Sequence, residues 1–279
     1  MSRVTIPRAV EVPDRIRLAR YARSPELGPR LLFFSGGTAL RATSTLLPAL
    51  THNSVHLITP FDSGGSSAKL RAAFPMLAVG DLRNRMMALA DVELKGHPSV
   101  YRLFATRLDE RGEADVLRAE LDALIDGSHA LIDEVSRPLR RLIRTQLETF
   151  RLRAPDDFDL RGASIGNLIL AGGLLANDHD VDAVLFMFSR LVEVRGMVRP
   201  VVNENLHLAG RTTGGRVLVG QHQLTSADVL GGEGIDEVWA CPSLDDDSRA
   251  PLSLDRHSRK LIGRAELIVY PIGLSLIHI

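Results

Sequence analysis

The chain has 279 residues, enough to bury a full core, and its 34 acidic and 34 basic residues cancel. Net charge therefore gives no reason to expect nucleic acid, an anionic membrane surface or an acidic partner. The single cysteine, Cys241, excludes an intramolecular disulfide and a cysteine-built zinc cage, which fits a reducing compartment. No run approaches the ~20 apolar residues of a membrane helix, and the arginine-rich stretch 1–29 has no signal-peptide core, so the expected location is the cytoplasm.

Short apolar runs bounded by glycine or proline mark strands buried on both faces of a parallel sheet. The first is Leu31-Leu32-Phe33-Phe34, followed by Ser35-Gly36-Gly37-Thr38 and a helix over 39–50. The second is Val55-His56-Leu57-Ile58-Thr59, followed by Pro60-Phe61-Asp62-Ser63-Gly64-Gly65-Ser66-Ser67 and a helix over 68–74. Two β-loop-α units in succession predict parallel strands with both glycine loops at the carboxyl edge of the sheet, facing one crevice. Gly80 then breaks the chain, and Asp81 is expected to cap a helix through Met86, Met87 and Leu89. The stretch 113–150 is helical throughout, with Pro138 marking a break or kink, and reads as a helical insertion or lid over about 113–155.

Further helices are expected over 162–177, with Asn167 in the first turns, and over 182–194. Val201-Val202, Leu206-His207-Leu208 and Arg216-Val217-Leu218-Val219-Gly220 read as strands, the last two joined by Gly214-Gly215 as a hairpin. Glu237 to Ala240 as strand, 258–264 as helix and 267–270 as strand resume the β/α rhythm. The fold class is thus α/β: Rossmann-like, three-layered and doubly wound, with a mainly parallel sheet, a helical insertion and a β-hairpin. Residues 1–29 read as an N-terminal extension and 30–279 as a single domain. Only 271–279 follow the last core strand, without a helix to cover it, so the natural chain is expected to continue or this end to be foreign.

The loop Asp62-Ser63-Gly64-Gly65-Ser66-Ser67 carries the most chemistry. Adjacent glycines let successive N–H groups aim at one point, and the helix that follows adds its positive end, so phosphate oxygens are the natural guests. Asp62 repels a phosphate and makes sense there if it holds Mg²⁺ or orients a nucleophilic hydroxyl. Lys69 and Arg71 can balance the charge. The alternative is an ordinary serine- and glycine-rich turn with a capping aspartate. Ser35-Gly36-Gly37-Thr38 is a weaker copy of the device, without the spacing of a dinucleotide fingerprint or the ending of a P-loop.

Within Gly80-Asp81-Leu82-Arg83-Asn84, Arg83 can grip phosphate in bidentate fashion and Asn84 can read a base or sugar, against the plainer reading of an exposed pair. Asn167 is either an inward amide for a ligand or a helix-start residue satisfying the backbone. The nine histidines show no metal-ligand spacing, and His207 and His222, placed on the hairpin, are expected to be structural or on the surface. No carboxylate pair, G-x-S-x-G elbow or Cys/His arrangement argues for covalent catalysis. Met86, Met87, Phe186, Met187 and Phe188 read as core, and Asp245-Asp246-Asp247 as a solvated loop, with a metal site as its alternative.

Gly36-Gly37-Thr38, Asp62-Ser63-Gly64-Gly65-Ser66-Ser67-Ala68-Lys69-Leu70-Arg71 and Gly80-Asp81-Leu82-Arg83-Asn84, in this order and spacing, resemble the CofD/YvcK family. The resemblance continues through Gly166-Asn167-Leu168 and a late strand with its loop at Gly273. It implies a Rossmann-like fold and one of two functions. CofD-type members are Mg²⁺-dependent transferases that move a 2-phospholactyl-type group from a guanosine diphosphate carrier to the ribitol chain of a deazaflavin precursor. YvcK-type members bind UDP-sugars and regulate carbon metabolism and cell shape.

By position, the resemblance assigns phosphates to Gly36, Gly37, Thr38, Gly64, Gly65, Ser66 and Ser67, and the metal or acceptor hydroxyl to Asp62. Arg83, Asn84 and Asn167 would line the pocket, and Ser63, Arg71, Gly80, Asp81 and Gly273 complete the expected nucleotide-binding set. The leading expectation is a nucleotide-dependent transferase with Mg²⁺ near Asp62. The second is a UDP-sugar-binding regulator without turnover, and the third a scaffold with a vestigial site. The expected partner is a nucleotide or nucleotide-linked small molecule, with no nucleic acid and no membrane. Self-association into a homo-oligomer through the Arg-rich helix over 137–153 competes with a solvated face there.

Overall fold

The computed structural model describes residues 12–37, 40–91 and 97–270; Thr38 and Gly273, both expected in the site, lie outside them. Along the chain run α1 (Arg15–Arg23), β1 (Leu31–Ser35), α2 (Arg41–Leu46), β2 (Val55–Ile58), α3 (Gly65–Ala73), α4 (Gly80–Ala88) and α5 (Pro98–Ala105). The helices α6 (Ala114–Asp126), α7 (Ala130–Asp133), α8 (Arg137–Arg153), α9 (Ile165–Ala176) and α10 (Val181–Leu191) follow. Then come β3 (Met197–Pro200), β4 (His207–Thr212), β5 (Val217–Val219), α11 (Gln221–Leu224), α12 (Ala227–Leu230), β6 (Ile235–Cys241), α13 (Arg256–Arg264) and β7 (Leu267–Val269).

The main sheet has four parallel strands in the order β3-β2-β1-β7. Parallel pairing of β1 with β2, Leu32 opposite Val55 and Ser35 opposite Ile58, brings the Gly36-Gly37 and Gly64-Gly65 loops to the same edge, as the two β-loop-α units require. One face of the sheet, with Phe33, Ile58 and Val198, joins the main core under α3, α4, α5, α6, α8, α9 and α10. Leu32, Phe34 and Leu57 on the other face pack with Leu261, Ile262 and Ala265 of and just after α13. Alternation along each strand sends successive side chains to the two layers.

Three elements differ from the sequence reading. The third parallel strand is Met197–Pro200 rather than Val201-Val202; Arg199, which masks it in the sequence, is buried there and pairs with Asp182 at 2.7 Å and Asp255 at 3.3 Å. The strand expected over 237–240 does not extend the β/α rhythm but pairs antiparallel with β4, giving a second sheet in the order β5-β4-β6. His222 lies on α11 rather than on a hairpin strand, because Gly220 turns the chain at φ 100° directly after β5. The segment expected as an insertion or lid supplies Leu117, Leu121, Leu124, Ile143, Leu147 and Phe150 to the main core. Pro138 sits in the first turn of α8, where its missing N–H is harmless.

His56 in the middle of β2 is fully buried, stacked on Phe33 at 4.9 Å between ring centroids, with Nε2 3.2 Å from Ser54 Oγ. Burial, and after it the charge of Arg85, lowers its pKa to about 3. The folded chain thus keeps this imidazole neutral where the unfolded chain, at an ordinary histidine pKa, takes up a proton, so stability is present at high pH and falls as pH drops below about 6.5. Urea unfolding should lose about 2 kcal/mol between pH 6.5 and 4.5 through this group, and His56→Gln should flatten that slope.

Candidate functional site

The site is assembled from the ends of β1 and β2 and the first turns of α3, α4 and α9. Helix α3 begins at Gly65, three residues earlier than its apolar pattern indicates, with Gly64 as N-cap and no side chain capping it. The first-turn N–H groups of Gly65, Ser66 and Ser67 therefore lack a helix partner, and a Cβ on Gly65, at φ 49°, would meet nothing within 4 Å. Asp62 Oδ1 accepts from Gly64 N–H at 3.0 Å, while Oδ2 turns toward α4. A Cβ on Gly80 would stand 3.3 Å from that oxygen, 2.5 Å from Ser67 Oγ and 3.6 Å from Asn167 Nδ2. Glycine at 80 is what lets Asp62, Ser67 and Asn167 converge.

Asp81 lies inside the first turn of α4, which starts at Gly80 after a Val79 N-cap, instead of capping the helix. Its carboxylate takes a hydrogen bond from the backbone of Gly37, and a Cβ on Gly37 would overlap Asp81 Oδ1 and come 3.1 Å from its Cα. Burial, and then the charge of Asp62, raises the Asp81 pKa to about 6; the Gly37 N–H and the charges of Arg85 and Arg83 act in the opposite sense. The two glycine loops are thus joined by two carboxylates, a pair that sequence spacing did not reveal because the residues stand on different elements.

Asn167, 2 % exposed, donates from Nδ2 to Ser66 Oγ at 3.4 Å, and its Oδ1 is buried without a hydrogen-bond partner. Ser164 caps α9 through the Asn167 N–H. Asp62 Oδ2, turned toward the first turns of α3 and α4, is a hard oxygen donor of the kind a divalent cation such as Mg²⁺ takes when phosphate oxygens supply the rest. Among the described residues there is no group of three or more His, Cys, Asp or Glu side chains able to hold a metal.

Several expected ligand contacts are engaged inside the protein. Arg83, 5 % exposed, donates to Phe104 O at 3.0 Å, Ser164 Oγ at 2.7 Å and Asn84 Oδ1 at 2.6 Å. Arg71 donates to Asp62 O, Asn205 Oδ1 and Leu206 O. Lys69 reaches Asp159 and Arg161 O, both at 2.7 Å. Ser63 Oγ accepts from His222 N–H at 3.1 Å and lies 2.8 Å from His222 Nδ1, so this hydroxyl holds the loop to α11. A Cβ on Gly220 would stand 2.9 Å from His222 Nδ1, which only glycine avoids.

One residue escaped the sequence reading. Arg85 is fully buried and donates to Ser35 Oγ at 3.0 Å and Gly36 O at 2.9 Å on one side of the first loop, and to Leu40 O at 3.2 Å and Ser44 Oγ on the other. Its signal was present: it shares a helical face with Leu82, Met86 and Leu89, where a charge is out of place. His222, expected to be structural or on the surface, holds Ser63 from α11.

A twisted parallel sheet with glycine loops at its carboxyl edge, and helices opening on them, defines a Rossmann-like α/β protein. The chain belongs to the CofD family: the model described as "2-phospho-L-lactate transferase CofD" matches residues 31–277. Curated relatives include a gluconeogenesis factor of Listeria monocytogenes, 28 % identical over 78 % of this chain and 50 % of the relative, and one of Bacillus subtilis, 29 % identical over 77 % and 50 %. The chain thus spans about half the length of these relatives. A UPF0052-family protein of Bacillus halodurans shares the fold, with a TM-score of 0.57 and 24 % identity over 86 % of this chain and 57 % of that one.

Arg85→Ala should destabilise the protein by at least about 3 kcal/mol in urea, because several buried acceptors lose their donor, and Arg85→Lys should recover little of it. Ser63→Ala, which removes both bonds to His222, should cost about 1 kcal/mol, His222→Ala, which keeps the backbone N–H, less, and the double variant little more than Ser63→Ala alone. Additive losses would show that the two side chains act separately.

Proposed function

We propose that this crevice is the site of a transferase that takes a phosphorus-containing group from a nucleoside diphosphate-linked donor, with Mg²⁺ held at Asp62. The observation that carries the reading is a carboxylate, Asp62, directed beside the uncapped first turn of α3. An anion cradle and an acid sit together usefully when a cation lies between the acid and a bound phosphate. Gly36, Gly37, Gly64, Gly65, Ser66 and Ser67 bind and orient the diphosphate. Bound Mg²⁺ would neutralise charge on the phosphate oxygens as the leaving nucleotide departs.

An acceptor hydroxyl attacks the donor's distal phosphorus. The new oxygen–phosphorus bond forms as the bridging bond to the nucleoside monophosphate breaks, and the electron pair leaves with that monophosphate. Asp81, held at Gly37 and with its pKa near 6, is suited to receive the hydroxyl proton. Asn167 Oδ1 offers an acceptor for a ligand hydroxyl. The chemistry asks mainly for positioning and charge neutralisation, which these residues supply.

A second reading takes the regulatory role from the gluconeogenesis-factor names of the relatives and the ligand from the family resemblance: a UDP-sugar-binding regulator that does not turn its ligand over. Thermal unfolding with GDP, GTP, UDP-glucose, UDP-N-acetylglucosamine or NAD, each with and without Mg²⁺, separates the two, since ligand at 100 times its Kd stabilises by about 2.7 kcal/mol. A Mg²⁺-enhanced response to guanosine nucleotides, with Asp62→Asn keeping the Mg²⁺-free affinity but losing the Mg²⁺ enhancement and at least about 100-fold in turnover, is the outcome expected of the transferase. A response confined to UDP-sugars selects the regulator, and silence across the panel removes both.

A further inference from the structure

Helix α13 carries Arg256, His257, Arg259, Lys260 and Arg264 and no acid. Its apolar side, Leu261 and Ile262, packs with Leu32, Phe34 and Leu57 of the main sheet, which leaves the cations to the outside. Arg256, Lys260 and Arg264 follow one another a turn apart, at steps of ~6 Å, and with His257 and Leu261 they line one open groove of about 620 Å³. Such a row does nothing for the helix itself: like charges four residues apart repel, and Arg256 stands in the first turn, where the helix dipole disfavours a cation. Among the described residues none of the three has a carboxylate partner, whereas Arg30, Arg195 and Arg199 nearby are paired with Glu266, Asp91 and Asp255.

His257 also lines a second groove, of about 510 Å³, along the outer edge of β3, where Phe186 and Arg190 of α10 form part of the wall. Phe186, expected in the core, is 65 % exposed, and Arg190 Cζ lies 5.4 Å from its ring centroid. The acids on this face, Asp182 and Glu193, are engaged with Arg199 and Arg195. At the other end of the row Arg264 shares a hollow with Arg30, Leu31 and Ser54, at the amino-terminal ends of β1 and β2, so the face turns away from the glycine loops. Zero net charge is a sum over the whole surface and leaves room for a local excess of this kind.

We propose that this face binds single-stranded nucleic acid, with successive phosphates on the row of Arg256, Lys260 and Arg264 and an unpaired base stacked at Phe186 and Arg190. A lipid surface fits less well, because α13 has no apolar side left to insert. An acidic peptide would account for the cations but not for the exposed ring, and a duplex keeps its base faces from that ring. The proposal is independent of the nucleotide reading of the glycine loops.

The test follows the fluorescence anisotropy of labelled oligouridylate and oligothymidylate, each of about 12 nucleotides, against the intact chain at about 50 mM and about 200 mM salt. Either strand should bind, and more weakly once annealed to its complement. Arg256→Gln/Lys260→Gln/Arg264→Gln should weaken binding at least about tenfold at the lower salt and reduce the slope of log affinity against log salt by about 2. Phe186→Ala should cost at least about fivefold with the slope unchanged, and Phe186→Trp should keep the affinity. Arg137→Gln/Arg141→Gln/Arg153→Gln on α8 removes the same charge from another face and should change binding less than about twofold. All the replaced side chains are exposed, so the variants should stay folded, which far-UV circular dichroism checks. Absence of binding at the lower salt, equal losses in the α13 and α8 variants, or no loss in Phe186→Ala overturns the proposal. So does tighter α13-dependent binding of phosphatidylglycerol vesicles or polyglutamate than of either strand.

Discussion

Arg85 keeps its charge and has no access to water, so the backbone around it has to supply acceptors from several directions. Those acceptors lie before and after the first glycine loop, and the loop is thereby held between β1 and α2 by a side chain from α4. Buried polar groups left without partners are costly enough that this constraint organises its neighbours. Once α4 is fixed against the loop, Asp81 falls on Gly37 and Gly80 lies where Asp62, Ser67 and Asn167 meet. Arg83, two residues along the same helix, performs the corresponding task for α5 and α9. Two buried arginines on one short helix thus set the distance between the glycine loops and the wall facing them.

The small antiparallel sheet bears on the second loop. Phe61, which leads into Asp62, is buried with Val202, Leu208, Leu218 and Leu224, and Ser63 and Arg71 carry hydrogen bonds to the same region. An anion cradle made of backbone N–H groups works only if the backbone stays in place, since the N–H directions are its whole chemistry. Side chains that a sequence reading would aim at phosphate act here one step back, holding the loop so that its amides face the crevice. The electrostatic consequence is a loop edge where the Asp62 and Asp81 carboxylates stand beside the uncapped first turn of α3.

Much of the fold was legible because it depends on local pattern. Leu31 to Phe34 and Val55 to Ile58 are apolar on both faces, as strands between two helical layers must be, and the glycines after them announce turns. Two β-loop-α units then allow few arrangements other than parallel neighbours with loops at one edge. β3 was obscured because Arg199 looks polar in the sequence and is neutralised only by Asp182 and Asp255, distant in the chain. β6 was legible as a strand but not as a member of the second sheet, because periodicity reports burial and not partners.

The sequence by itself determined the parallel sheet, the two glycine loops, the acid beside the second loop and the family these residues resemble. Each follows from residue type and spacing within a few turns of chain. Only the tertiary structure decided that Asp81 faces Gly37 rather than capping its own helix, that Arg83 and Lys69 are engaged within the protein, and that His222 holds Ser63. The physical reason is the same in each case: whether a polar side chain serves a ligand or the fold depends on which acceptors the folded chain brings within hydrogen-bond reach, and those acceptors belong to segments far away in sequence.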